Sequence, residues 1–504
     1  MNPVFSARDF SPREKLIITF TVLVLLVMST LAVEVRAVSD DLHLMEMTLD
    51  HPLVRTLDPT DDVFPYDRRL YRPLTQDLYF RLLYPLFELQ SLPYHLINLA
   101  LMFANGFLVY YLAVRLFNNR EAGLWGAFFY VLSPLNRMPF TRICYIQDVL
   151  MVFLALLALA AFLRGRDATG SRGRHPLVWS FAGAGLYLLS LLSKESSVLL
   201  PAILWAIDFF ADRRGEPIPA MVRRRLGQHL PFDLAFVLYM AFRLVFIPPS
   251  EDGAYGMALG ANIAFRLDEY LSDVAASVLP FFPMRTGLSP YFLAAAGTAA
   301  VIGWGWNRPK IPAMVWAGFA WFGLGLLVFL PLTQKSVPYF ISFAAIGFFW
   351  AAGAGVAGIL ARGREYALPA AAVFIFLLTA ANLHTNYREF VEHDLIISRE
   401  TRDLHLGLKA LHPDFPDNAR IVLLLNNPPD FPPSSFGVRL LYRRPDLKVM
   451  FPDEVFNVIK GEQFRYLSRP GVDYSNAFIF GISQYGFCEF ELMDGQLAIK
   501  ECLN

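Results

Sequence analysis

Apolar runs of membrane-crossing length recur along this chain, and they restrict its fold more than any other feature. The first, from Leu16 to Val35, has about the ~20 residues that a 30 Å hydrocarbon layer requires. Further runs fall near 94–117, 121–135, 143–163, 177–192, 197–211, 230–248, 288–306, 312–332, 337–361 and 366–383. Together they predict about eleven transmembrane helices. The first run is expected to be a retained helix. A signal peptide has an apolar core of only about 7–15 residues ending at small residues, whereas this run is longer and continues into Glu34, Val35 and Arg36.

Composition points the same way. The chain is 55% hydrophobic and 17% charged, against about 45–50% and about 25% for typical globular chains, which is more apolar surface than one core could hide. Its 44 Lys and Arg balance 44 Asp and Glu, which excludes a strongly basic nucleic-acid binder and an acidic disordered tail. Three cysteines in 504 residues exclude a disulfide scaffold and a repeated zinc module.

Lys and Arg in short loops stay on the cytoplasmic side. Arg8, Arg13 and Lys15, then Arg115 and Arg120, Arg164 to Arg174, Arg213 to Arg225, Arg308 and Lys310, and Arg362 and Arg364 occupy every second connection. The amino terminus is therefore expected inside. An odd number of spans then puts the segment after 383 on the outer face. The expected organisation is a transmembrane domain over 1–383, with a large first outer loop at 36–93, and a soluble extracytoplasmic domain over 384–504.

The carboxyl-terminal segment holds 30 charged residues and none of the eight tryptophans. Ala419 to Leu425 reads as a buried strand, followed by a proline-rich loop and then a helix or second strand at Val438 to Tyr442. A small α/β unit is expected. Cys488 and Cys502 both lie in it, on the oxidising side, where a disulfide can form. Cys144 reads as a small apolar packing residue. The fold class is thus an α-helical polytopic membrane protein with a small C-terminal α/β domain.

Once basic cytoplasmic loops are set aside, few charged residues remain on the outer face. Lys194 and Glu195 lie between two basic loops that require two crossings, so the chain must turn near 193–197. Each leg is short for a span, which places these ionisable groups deep, where such residues line a polar cavity or pair with each other across the hairpin. Asp40 and Asp41 follow the first helix; carboxylates there can act as general base toward a hydroxyl or hold a divalent cation, or be solvated. Arg72 stands in a loop too long for a mere connector, and its planar donor fork suits a phosphate. Arg142, Asp148 and Lys335 face the same side. His95 and Asn98 read as interhelical hydrogen-bonding groups. No P-loop, GxSxG elbow, HExxH helix or repeat period is present in the sequence.

Asp40-Asp41, Tyr71-Arg72-Pro73-Leu74-Thr75, Tyr94-His95-Leu96-Ile97-Asn98, Asp148 and Leu192-Ser193-Lys194-Glu195 with Pro201 and Asp208 resemble the GT-C membrane glycosyltransferases. The pattern, over about 36–210, is most similar to the O-mannosyltransferases that carry tetratricopeptide repeats. The resemblance implies a polyprenyl or dolichyl phosphate-linked sugar donor and transfer at the outer face, with inversion. It implies Asp40 or Asp41 as the general base, Arg72 and Lys194 as contacts to the lipid phosphate, and Glu195 and Asp148 as orienting groups, with Arg142 and Lys335 also expected among the substrate-binding residues. The chain departs from the family in showing Ser133-Pro134 where His-Pro is frequent, Pro338-Tyr339 where a Glu-Arg pair stands, and a non-repetitive tail. A protein or envelope glycan or lipid acceptor is expected, in a bacterial-type inner membrane. The competing functions are a lipid-linked saccharide flippase, which ought to carry midplane charges and repeat symmetry, and a noncatalytic envelope assembly protein.

Overall fold

A computed structural model describes residues 10–50, 71–168, 176–211, 216–247, 256–279, 313–333, 337–361, 366–424, 436–450, 477–483, 486–493 and 496–503. The protein is an α-helical, multi-pass membrane protein with a small carboxyl-terminal sheet. Its helices are α1 (Pro12–Glu34), α2 (Asp40–Asp50), α3 (Tyr79–Phe87), α4 (Ser91–Phe117), α5 (Arg120–Leu132), α6 (Met138–Thr141), α7 (Ile146–Ala168), α8 (Pro176–Ser193), α9 (Leu200–Ala211), α10 (Ile218–Phe246), α11 (Asn262–Val278), α12 (Ala313–Leu326), α13 (Ser342–Leu360), α14 (Ala367–Glu389), α15 (Ile396–Leu411) and α16 (Val438–Tyr442). Among the described residues, six helical segments are long and apolar enough to cross a membrane: Ser91–Phe117, Ile143–Ala168, Pro176–Ser193, Ile218–Phe246, Pro338–Leu360 and Ala367–Leu411. The expected run at 288–306 lies outside the described residues.

Close helix contacts depend on small residues, as expected where lipid supplies no hydrophobic drive between helices. At the crossing of α12 and α13, a Cβ on Gly347 would meet the Gly318 carbonyl oxygen at 2.4 Å. Only glycine allows backbones that close. Trp125, Trp321 and Trp350 are fully buried in the same core, and the Trp350 indole donates to the Val109 carbonyl on α4 at 3.1 Å.

Ion pairs separate the two ends of the bundle. At one end Arg13 meets Glu121 at 3.3 Å, Arg115 pairs with Asp167, and Arg166 meets Asp208 at 3.3 Å. At the other lie Asp41, Arg72, the 133–148 connection, Lys194 and Asp394, linked as described below. The first end gathers residues of the basic connections near 13–15, 115–121 and 164–174.

The last membrane helix does not stop near 383. It runs through a π-helical segment, Phe390–Leu395, into α15 and ends at Leu411. Beyond it stands a five-stranded sheet in the order β2-β1-β3-β4-β5, with β1 (Arg420–Leu424), β2 (Lys448–Met450), β3 (Ala477–Ser483), β4 (Gly486–Met493) and β5 (Gln496–Leu503). β1 pairs in parallel with β2 and β3, and the rest is antiparallel. The predicted strand at 419–425 is β1, and Val438–Tyr442 is a helix. Cys488 and Cys502 face each other across β4 and β5 and are disulfide-bonded, while Cys144 is buried and free.

This domain packs on the segment between α1 and α4. Leu440 packs in one cluster with Leu42, Leu44 and Phe80, Arg439 reaches Glu46 at 3.4 Å, and Arg443 pairs with Glu88. On the stalk, Ser398 accepts from the Arg36 backbone N–H at 3.0 Å.

Candidate active site

Asp41, Arg72, Lys194 and Asp394 are each bonded to one stretch of chain, from Arg137 to Asp148, which leads from α5 into the first turn of α7. Proline at 134 and 139, with an extended Arg142, breaks the chain between α5 and α7 into a 3-10 turn, the short α6 and a second 3-10 turn. Its backbone groups and side chains therefore point in several directions and can serve several neighbours.

Asp41 occupies the first turn of α2. Ser39 enters that helix at φ 48°, a left-handed conformation uncommon outside glycine, and the Asp41 carboxylate holds the turn. One oxygen accepts from the Cys144 N–H at 2.6 Å and the other from the Val38 N–H at 3.2 Å. Asp41 is fully buried whereas its neighbour Asp40 is exposed. Burial pushes the Asp41 carboxyl up to about 6, against the opposing pull of the Arg142 guanidinium and the two backbone donors.

Arg72 precedes a π-helical turn, Leu74–Leu78, in which Thr75 donates to the Ser193 carbonyl at 2.7 Å. That bond fixes the start of this π-helical turn against the α8–α9 turn. The Arg72 guanidinium makes a bidentate pair with Glu195, Nε to Oε2 at 2.8 Å and Nη2 to Oε1 at 2.5 Å, while Nη1 donates to Gln147 at 2.6 Å. Lys194 donates to Asp148 at 2.6 Å, both residues being buried. Its ammonium also lies 5.1 Å from the Tyr339 ring centroid and 5.5 Å from that of Phe340, within cation–π range.

The α8–α9 turn is at Lys194, as expected, with legs of 18 and 12 residues. Lys194 and Glu195 engage different partners, Asp148 and Arg72, so the hairpin is not closed by a mutual pair. Arg142 is held by Asp394, Nε to Oδ1 at 2.9 Å, and Arg137 reaches the other oxygen of the same carboxylate. Asn98 donates to the carbonyls of Arg142 at 3.1 Å and Ile143 at 3.4 Å, the interhelical role expected of it. Lys335 lies outside the described residues. Pro338–Ile341 forms a 3-10 turn that brings Tyr339 edge-on to Tyr145, at 4.6 Å between centroids, and Ser133 pairs with Ser277 of α11 at 2.7 Å.

Three contributors are absent from the residues singled out in the sequence as candidate site groups. Gln147 and the Cys144 N–H act through geometry that no motif encodes. Asp394 lies 246 positions beyond Asp148 by subtraction of their numbers, in a segment that reads as solvated tail, yet it is fully buried. Its one available signal is an acid flanked by the apolar pairs Phe390-Val391 and Leu395-Ile396. Among the described residues one set could bring three metal-ligand atoms within 4.8 Å of one another, Glu389, Glu392 and His393; these are partly or fully exposed, unlike the buried Asp394 beside them.

The arrangement is four cations and five carboxylates at one end of a helical bundle. Buried guanidinium and ammonium groups there are matched by carboxylates, and one exposed carboxylate, Asp40, stands beside them. It can bind an anion and accept a proton from a neighbouring hydroxyl.

No family model matches the chain, and no curated protein sequence matches it significantly. Among solved structures it superposes on the apo oligosaccharyltransferase of Archaeoglobus fulgidus with a TM-score of 0.46 and 14% identity, covering 86% of this chain and 65% of that one. It superposes on ArnT from Cupriavidus metallidurans bound to undecaprenyl phosphate with a TM-score of 0.48 and 13% identity, covering 87% and 86%. The chain thus spans just under two thirds of the length of the archaeal protein.

Proposed function

We propose that this chain is a GT-C-type glycosyltransferase that moves a sugar from a polyprenyl-phosphate-linked donor to an acceptor hydroxyl at the outer face of the membrane. The observation that carries the proposal is the convergence of Asp41, Arg72, Lys194 and Asp148 on the single 137–148 connection, because it gathers sequence-distant motifs of the resemblance into one site. The outer orientation is supported by the bonded Cys488 and Cys502, since disulfides persist in oxidising compartments. An inner-membrane location follows as part of the same reading.

In this mechanism Asp40 is the base. A general base must come within hydrogen-bond reach of the proton that it takes, and Asp40 is exposed where Asp41 is sealed. Asp40 removes the acceptor proton, the acceptor oxygen bonds to the anomeric carbon, and the bond from that carbon to the phosphate oxygen breaks with its electron pair leaving on the lipid phosphate. Attack from the face opposite the leaving group inverts the carbon. Lys194 and Arg72 stabilise the developing phosphate charge, and Asp148 and Glu195 keep those cations pointed at it. Asp41 seats the helix that carries Asp40.

The reading is tested by offering the purified protein several labelled polyprenyl-phosphate sugars with a lipid extract as acceptor source, in wild type and in Asp40→Asn. Release of polyprenyl phosphate by the wild type and its loss in the variant support it. Transbilayer movement of an intact donor with no cleavage would replace it with the flippase.

A further inference from the structure

From the buried bridge that the stalk makes to the 137–148 connection, we infer that Asp394 is a positioning residue of the active site: its carboxylate takes up the charge of Arg137 and Arg142 and so keeps Arg142 from pairing with the Asp40–Asp41 turn. The inference rests on the glycosyltransferase reading for its kinetic consequence, and on geometry alone for the rest.

Asp394 is fully buried, and both of its oxygens are taken, one by Arg142 at 2.9 Å and the other by Arg137. It is presented by the π-helical segment Phe390–Leu395, and such interruptions recur at functional sites because the added residue per turn re-aims a side chain. Its guanidinium partners belong to the connection whose Cys144 N–H seats Asp41. The groups facing Asp41 are Arg142 and the Cys144 thiol from that connection and Tyr79 from α3, and Asp40 acts on the same thiol. Arg142 is the cation among those named, so the fate of its charge controls the turn. In the wild type the two arginines share one carboxylate. Without it, Arg142 would be drawn to Asp41, the other carboxylate that acts on it, and the base beside it would be acidified and immobilised.

Asp394 also joins the site to the outer domain. The same helix carries Ser398, bonded to Arg36 just before α2, and leads into the sheet whose α16 packs on α2. The carboxyl-terminal domain is thereby a structural part of the site.

The experiment compares wild type, Asp394→Asn, Arg142→Gln and the double variant by the pH profile of donor cleavage and by the pH dependence of thermal unfolding in detergent. Asp394→Asn is expected to move the acid limb of the cleavage profile to lower pH and to cut turnover at least tenfold. Adding Arg142→Gln removes the stray charge and should restore the acid limb and most of the turnover. A purely structural role would change yield and melting temperature without moving the limb. An Asp394→Asn profile that overlays the wild type, or a double variant no better than Asp394→Asn alone, overturns the inference. Should no donor be cleaved by the wild type, the glycosyltransferase reading fails by itself. The melting curves then decide, because an unchanged pH midpoint in Asp394→Asn would refute the charge coupling. If that variant does not fold, Asp394→Glu replaces it, and is expected to keep the wild-type limb.

Discussion

The Lys194 ammonium and the Asp148 carboxylate meet at 2.6 Å with both side chains almost wholly withdrawn from water. They come from different helices, the turn after α8 and the start of α7, so the pair ties the two together where a donor phosphate would enter. Breaking a buried pair by removing one partner costs about 3–5 kcal/mol because a charge is left uncompensated. Lys194→Met should therefore destabilise strongly. Lys194→Met with Asp148→Leu should recover most of the melting temperature in detergent while donor cleavage stays abolished. Recovery of cleavage in the double variant would remove Lys194 from the phosphate site.

Arg72 holds Glu195 through two parallel bonds, a geometry that lysine cannot reproduce. Arg72→Lys keeps the charge but loses the fork. The expected result is a rise in donor KM of about tenfold, corresponding to about 1.4 kcal/mol, with folding retained, measured by initial rates across donor concentrations.

Asp40 and Asp41 should separate by phenotype. Asp40→Asn should abolish turnover at an unchanged melting temperature. Asp41→Asn should lose turnover together with stability, because an amide has one acceptor oxygen for the Cys144 and Val38 N–H groups.

The titration of Asp41 carries a sign that can be checked. Its carboxyl is raised from 3.8 to about 6 in the folded protein, so its contribution to stability is fully present below about 4 and is lost as pH rises through about 6. The shift corresponds to on the order of 3 kcal/mol. Wild type should thus melt progressively lower between pH 4.5 and 7.5, relative to Asp41→Asn. Parallel curves for the two proteins would mean that Asp41 titrates normally.

Gly347 has no room for a methyl group against the Gly318 carbonyl oxygen. Overpacking of this kind typically costs about 1–3 kcal/mol, and Gly347→Ala should lower the melting temperature accordingly. Gly323 of α12 meets nothing within 4 Å, so Gly323→Ala is the control, expected to be neutral or slightly stabilising.

Cys488 and Cys502 report orientation. In intact cells they should resist alkylation until reduced. Full alkylation without reductant would place the sheet in a reducing compartment and reverse the proposed topology.

Membrane helices, the basic residues of alternate loops and a charged carboxyl-terminal segment were legible in the sequence because each follows from local composition: a run of apolar residues is helical in lipid whatever surrounds it. The residues Asp41, Arg72, Asp148, Lys194 and Glu195 were legible as acids and cations that no cytoplasmic loop accounts for. Their partners were not. Adjacency in the sequence suggests that Lys194 and Glu195 pair with each other, but backbone direction sends one to Asp148 and the other to Arg72. Asp394 reads as one charge among the 30 of a polar tail, and only the continuation of the last membrane helix through a π-helical segment carries it down between Arg137 and Arg142. Burial and pairing of a charge depend on what other segments bring within a few ångströms, and that is set by how the helices pack, which no single segment records.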